Sequence, residues 1–109
     1  MNTTMNTARL GQLRQLHDAD PADADVCYMI AQELGKMHQY AQAIEWYDKC
    51  IAADAAYCYA YYFKAIALDA QGRRDDAMRT ILTGLPIAER SDHPKAFSEL
   101  CTLRDELRV

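Results

Sequence analysis

Residues 24–57 read ADVCYMIAQELGKMHQYAQAIEWYDKCIAADAAY, and residues 58–91 read CYAYYFKAIALDAQGRRDDAMRTILTGLPIAERS. Shifting the first stretch by 34 positions superimposes Tyr28 on Tyr62, Ala31 on Ala65, Leu34 on Leu68 and Ala43 on Ala77. The same shift brings Ile44 onto Met78, Tyr47 onto Ile81, Cys50 onto Gly84 and Ile51 onto Leu85. Agreement in size and polarity at one fixed period marks a structural unit written twice.

Each unit divides into two amphipathic stretches with apolar residues three and four apart, as in Cys27, Ile30, Ala31, Leu34 and then Ala43, Ile44, Tyr47, Cys50, Ile51. That spacing lines one face of an α-helix. The turns within the pairs fall near 37–40 and 71–74, where Gly72 can take the left-handed conformation that ends a helix. Short turns force the two helices of each pair to run antiparallel. Small residues stand where the helices must approach most closely: Ala31, Ala43, Cys50, Ala65, Ala77 and Gly84. Helix axes can then close to about 8 Å.

Working outward, the same shift places Leu10, Leu13 and Leu16 under Ile44, Tyr47 and Cys50. Residues 6–21 therefore read as a helix equivalent to the second half of a unit. Toward the other end, Asp92 can cap a helix with Pro94 in its first turn. Phe97, Leu100, Leu103 and Leu107 form the apolar stripe of this helix, which is displaced from the repeat by a residue or two. Residues 92–109 read as a covering helix, and Pro86 predicts a kink or an end near Gly84 in the helix before it. The expectation is an all-α solenoid of about six helices occupying residues 1–109 as one domain.

Composition agrees. Half of the 109 residues are apolar, and Gly and Pro number four and three, which suits helices and argues against disorder. The net charge is −4, and residues 1–56 hold four Lys/Arg against eight Asp/Glu, so nucleic acid and anionic membrane are not expected partners. No stretch approaches the roughly 18 apolar residues of a membrane span, and Met1–Asp20 carries no signal-like apolar run. A cytoplasmic protein is expected, with Cys27, Cys50, Cys58 and Cys101 as small core residues and a Cys50–Cys58 pairing disfavoured.

The pattern resembles the tetratricopeptide repeat (TPR), a 34-residue helix-turn-helix with the signature W-x2-L-G-x2-Y, then A-x3-F, then P. In residues 24–57 the positions are Cys27, Ile30, Ala31 and Leu34, then Ala43 and Tyr47, with Ala55 where the family prefers Pro. In residues 58–91 they are Tyr61, Lys64, Ala65 and Leu68, then Ala77 and Ile81. Lys64 stands where a large apolar residue is usual, so its stem is expected along the core with the ammonium reaching solvent or a carboxylate.

The resemblance implies a concave face, lined by the first helix of each repeat, that holds a peptide or partner protein. The residues it places there are Asp25, Tyr28, Gln32, Lys36, Tyr59, Tyr62, Ile66 and Asp69. The run Tyr57, Tyr59, Tyr61, Tyr62, Phe63 must point partly into the core and partly outward. Family members that grip a chaperone carboxylate terminus use Lys, Asn and Arg on this face. Tyr28, Gln32 and Phe63 stand at those places here, which excludes that clamp. Trp46, beside the core residue Tyr47, is expected on a flank, packed against a neighbouring helix or serving as an interface anchor.

Other chemistry has little behind it. Asp18, Asp20, Asp23 and Asp25 lack the Gly and Glu of a calcium loop and read as turn and cap residues. His17, His38 and His93 are widely separated and fall at helix ends or turns, so neither a metal nor a cofactor is expected. Nothing resembles a phosphate loop, a nucleophile elbow or a catalytic carboxylate pair. A non-enzymatic adaptor is the first reading, and a structural or regulatory subunit of a larger assembly the second. An enzyme with an unrecognised site is the remote third. Because about three repeats are normally needed to close a core, a second copy covering the open N-terminal helix is also expected.

Overall fold

The computed structural model describes residues 3–108, and the regular structure among them is helical throughout. The helices are α1 (Thr3–Ala19), α2 (Ala24–Lys36), α3 (Tyr40–Ala53), α4 (Cys58–Ala70), α5 (Arg74–Arg90) and α6 (Pro94–Leu107). α2 and α4 begin and end 34 residues apart, as do the starts of α3 and α5. The all-α stack of antiparallel hairpins expected from the sequence period is the one the chain adopts.

Two kinds of turn alternate, and each has its own sequence cause. Between α1 and α2, and again between α3 and α4, an aspartate folds back on the chain. The backbone amide of Ala22 donates to Asp20 Oδ1 at 3.2 Å and that of Ala56 to Asp54 Oδ1 at 3.0 Å. Asp23 then caps α2 by accepting from the amides of Asp25 and Val26, which satisfies donors that have no partner within the helix.

Within the pairs a different turn is used. The amide of Gln39 reaches the carbonyl of Leu34, and that of Arg73 reaches Leu68, both at 2.9 Å. Each closes over a residue with positive φ, His38 at 59° and Gly72 at 77°. The α5–α6 turn repeats this pattern, with His93 bonding Ala88 at 3.0 Å over Asp92 at φ 52°. Asp92 is therefore the left-handed turn residue and not the cap expected from sequence. The capping position passes to His93, whose Nδ1 accepts from the amide of Ala96 at 3.3 Å, with Pro94 opening the first turn.

Pro86 does not end its helix. α5 continues to Arg90, with Pro86 on its exposed side, where the ring meets no packed neighbour helix. The three extra residues carry Ala88 into the core and delay the turn. This is the origin of the offset of α6.

The core forms along the seams. Cys27, Ile30, Ala31, Ala43, Cys50, Ala65, Ala77, Ile81 and Leu100 are all fully buried, each large side chain stabilising the fold by about 1.5–3 kcal/mol. One cluster centres on α2 and α3 and takes Leu13 from α1 and Ala60 from α4. The other centres on α4, α5 and α6 and takes Ile44 from α3. Cys50 belongs to the first cluster and Cys58 to the second, where the Cys58 thiol donates to the carbonyl of Ala56. At the α4–α5 seam Gly84 faces Tyr61 so closely that a Cβ there would lie 2.8 Å from Tyr61 Cβ.

At the N-terminal end the stripe is only partly used. Leu13 is buried and Leu10 partly so, but Leu16 remains 54% exposed, since α2 is the one helix against which α1 packs extensively. The same contact holds the sole buried charged side chain among the described residues, Glu33. Its Oε2 takes both Arg9 Nε and Lys36 Nζ at 3.1 Å, the pairing that a carboxylate out of water requires. Lys64 behaves as its sequence position suggests, its ammonium lying 2.7 Å from Asp48 Oδ1.

Two glycine substitutions in helices are expected to have opposite signs. Gly84→Ala drives a methyl against Tyr61 Cβ, and overpacking of about 1–3 kcal/mol outweighs the roughly 1 kcal/mol that alanine gains in a helix. Gly11→Ala meets nothing within 4 Å and keeps that gain. Urea unfolding of both variants measures the contrast, and a Gly84→Ala protein as stable as the parent contradicts this packing.

Candidate partner-binding face

α2 and α4 run parallel, each followed by its antiparallel partner, and their first-helix positions share one face. Tyr28 is the hinge of this face. Its ring lies 5.0 Å from Tyr57, 6.1 Å from Tyr47 and 6.2 Å from Phe63. Phe63 continues the contact to Tyr62 at 5.0 Å and to Tyr59 at 6.2 Å, and Tyr59 reaches His93 at 5.4 Å. Most of these pairs are edge-on, the arrangement that aromatic quadrupoles favour. The result is a continuous run of partly buried rings, backed by the buried Tyr47, from the start of α2 to the start of α6.

Beside it, toward the C-terminal ends of α2 and α4, lies a groove of about 280 Å³ lined by Gln32, Gly35, Lys36, Tyr40, Tyr47, Phe63 and Ile66. Gln32 is held there by the hydroxyl of Tyr47, which donates to its Oε1. Ile66 is 36% exposed at the groove wall, an apolar side chain left in water by the fold. Lys36 remains exposed at the rim but is already paired with Glu33.

The sequence-predicted residues thus divide. Tyr28, Gln32, Lys36, Tyr59, Tyr62 and Ile66 lie along this face. Asp25 and Asp69 stand in the first turn of α2 and the last turn of α4, at opposite ends of it. Asp25 accepts from the Tyr57 hydroxyl at 2.7 Å, and Asp69 lies 3.5 Å from Arg74 at the α4–α5 turn. Trp46 lies on the α1 side instead, half-buried, with its ring 4.7 Å from His17 and the Lys49 ammonium 4.8 Å above it.

Several residues of the face escape the repeat spacing. Phe63 and Tyr57 sit at positions that the TPR signature leaves unspecified. Tyr40 enters because α3 begins beside the groove. Glu99 and His93 come from the displaced sixth helix, whose register the 34-residue period does not give.

Electrostatics on this face is set by burial and by carboxylates. Burial pushes the Tyr28 phenol up to about 12, with Cys50, Tyr59 and Glu99 adding to the effect. Burial also raises Tyr47, and it raises Tyr57 together with the hydrogen bond to Asp25. Tyr59 is raised by desolvation and then by Glu99, and Tyr62 by desolvation and then by Glu99 and Glu106.

A larger cleft of about 450 Å³ lies on the other side, between α3, α4 and α5. Its charges are matched: Lys64 with Asp48, and Arg73 and Arg79 with Asp76. Carboxylates and cations that already satisfy one another leave a ligand less to gain there than at the α2–α4 groove.

Residues 24–57 match the model of the tetratricopeptide repeat. The chain is 28% identical over 82 residues to an uncharacterized protein of Methanocaldococcus jannaschii, covering 75% of this chain and 95% of that one. It is similar to a tetratricopeptide repeat domain protein of Salinibacter ruber, at 27% identity and a TM-score of 0.74, over 81% of this chain and 89% of the other. The TPR2B domain of yeast Sti1, solved in complex with pHsp70, superimposes at a TM-score of 0.89 and 20% identity, over 98% and 86% of the two chains. PcrH, solved with the chaperone binding region of PopD, does so at 0.89 and 14%, over 98% and 81%. Below a quarter identity these last two show the fold alone. Residues 24–57 thus carry a TPR-type repeat, and the chain as a whole has the all-α helical repeat fold of these structures. Among its described residues no helix is long and apolar enough to cross a membrane, and no group of three or more His, Cys, Asp and Glu side chains is arranged to hold a metal ion.

The tyrosine environment has a measurable consequence. A phenol whose folded pKa is raised above its ordinary value of 10 stabilises the fold fully below pH 10 and loses that contribution as pH rises through the folded value. For Tyr28 the window is pH 10 to about 12. Absorbance at the tyrosinate band is expected to show late ionisation coinciding with alkaline unfolding, and Tyr28→Phe is expected to remove part of the late signal.

Proposed function

We propose that this chain is a protein-binding module whose α2–α4 face is the concave surface of the repeat stack and holds a peptide segment of a partner. The observation that supports it is the apolar groove with Ile66 exposed on its wall, continuous with the aromatic surface through Phe63. Tyrosine offers large contact area with a hydroxyl for orientation at small entropic cost. The Sti1 domain and PcrH, whose fold this chain shares, were each solved with a partner segment bound, which is consistent with the same use here.

Two exposed apolar residues separate this reading from general stickiness. Ile66→Arg is expected to abolish capture of a stoichiometric partner from native lysate. Leu82→Arg, at a 50% exposed position on α5 away from the groove, is expected to leave capture unchanged. Equal loss in both variants, or in neither, rejects the groove as the docking site.

A second reading concerns self-association. Leu16, half-exposed on α1 with no extensive helix contact beyond α2, favours a second copy packed against the N-terminal helix. Sedimentation at high micromolar concentration is expected to show a dimer that Leu16→Glu dissociates, and a monomeric parent protein removes the idea.

A further inference from the structure

The α2–α4 groove has largely apolar walls and a charge at one point. Among the described residues that line it, Lys36 alone is charged, and its side chain is 65% exposed at the rim. Its one partner among the described residues, Glu33, is shared. Glu33 Oε2 takes Lys36 Nζ and Arg9 Nε, each at 3.1 Å, so two cations stand on a single carboxylate and one positive charge is left over. Glu33 is buried whereas both cations are more than half exposed, and Lys36 places its share of the surplus at the groove. An ammonium has three N–H donors, of which Glu33 occupies one. Neighbouring acids do not cancel this charge. Asp69, at the corresponding end of α4, lies against Arg74, and Asp25 stands in the first turn of α2, about three turns away.

We infer that the segment held in the α2–α4 groove is acidic at this point: an Asp or Glu side chain meets the Lys36 ammonium at the rim while a neighbouring apolar side chain lies against Phe63 and Ile66. A carboxylate there makes a charge-assisted hydrogen bond with a free N–H donor of Lys36, stronger than the bond a neutral side chain makes. It forms without stripping Glu33 of its counter-ion, because Arg9 remains. A basic segment meets the one uncompensated charge of the groove and is disfavoured. The net charge of −4 on the chain opposes an acidic ligand at long range, so the attraction is local to Lys36 and not a property of the whole surface.

The inference rests on the groove being the docking site, and the test separates the two. Three fluorescein-labelled peptides, amidated at the C-terminus and identical in leucine spacing, carry Glu, Gln or Lys at the intervening positions, and their binding is followed by anisotropy. The Glu peptide is expected to bind roughly tenfold more tightly than the Gln peptide, and the Lys peptide more weakly than either. Lys36→Gln is expected to abolish the Glu preference with little effect on the Gln peptide, and Lys36→Arg to retain it. Arg9→Gln, on α1 and outside the groove, is expected to shrink it several-fold, because Glu33 is then left to Lys36 alone. Lys49→Gln, which removes an equal charge beside Trp46, should leave it intact. A preference that survives Lys36→Gln or Arg9→Gln undiminished, or that falls as far in Lys49→Gln, overturns the inference. Equal affinity for all three peptides, blocked by Ile66→Arg, keeps the groove and overturns the acidic preference. Failure of every peptide to bind removes both readings.

Discussion

The close approach of paired helices at recurring small side chains is the constraint on which everything else in this molecule depends. Ala31, Ala43, Cys50, Ala65 and Ala77 have no exposed surface, and Gly84 admits Tyr61 where even a methyl group would collide. Larger residues interlock around these points, and dispersion plus burial follow from the contact distance. Because the small residues recur at one period, the second hairpin closes at positions equivalent to those of the first. First helices therefore stay side by side, and the groove between α2 and α4 is what the shared geometry leaves open.

Much of this was legible in the residues themselves. The fold followed from one shift that matched eight positions at once, and the helix pairs, their turns and the role of Gly72 came with it. Lys64 was legible too, since a long stem with a terminal charge can serve a core position and still find Asp48. What the period did not carry was anything that breaks it. Pro86 was expected to stop or bend its helix, and it does not stop it, since α5 runs on to Arg90. The three residues gained moved the cap from Asp92 to His93 and set the position of α6.

The candidate face was legible in part for the same reason. First-helix residues that repeat, such as Tyr28 and Tyr62, could be placed by spacing. Glu99 could not, because it arrives from the helix that has slipped out of phase, and Phe63 could not, because its neighbours compete for the same direction. Glu33 was also invisible as a buried charge: its position corresponds to Ala67 in the next unit, and Arg9 from α1 together with Lys36 makes a carboxylate tolerable there. Sequence periodicity reports what is common to the units, whereas recognition sites are assembled from what differs.

The lone tryptophan gives this architecture an optical asymmetry. Trp46 sits against His17 at the junction of α1 with the first pair, while most of the seven tyrosines crowd the opposite region. Its emission therefore senses the docking of the N-terminal helix, whereas tyrosine absorbance senses the aromatic face. Fraying of one end and occupancy of the other are spectrally separate events in the unlabelled protein.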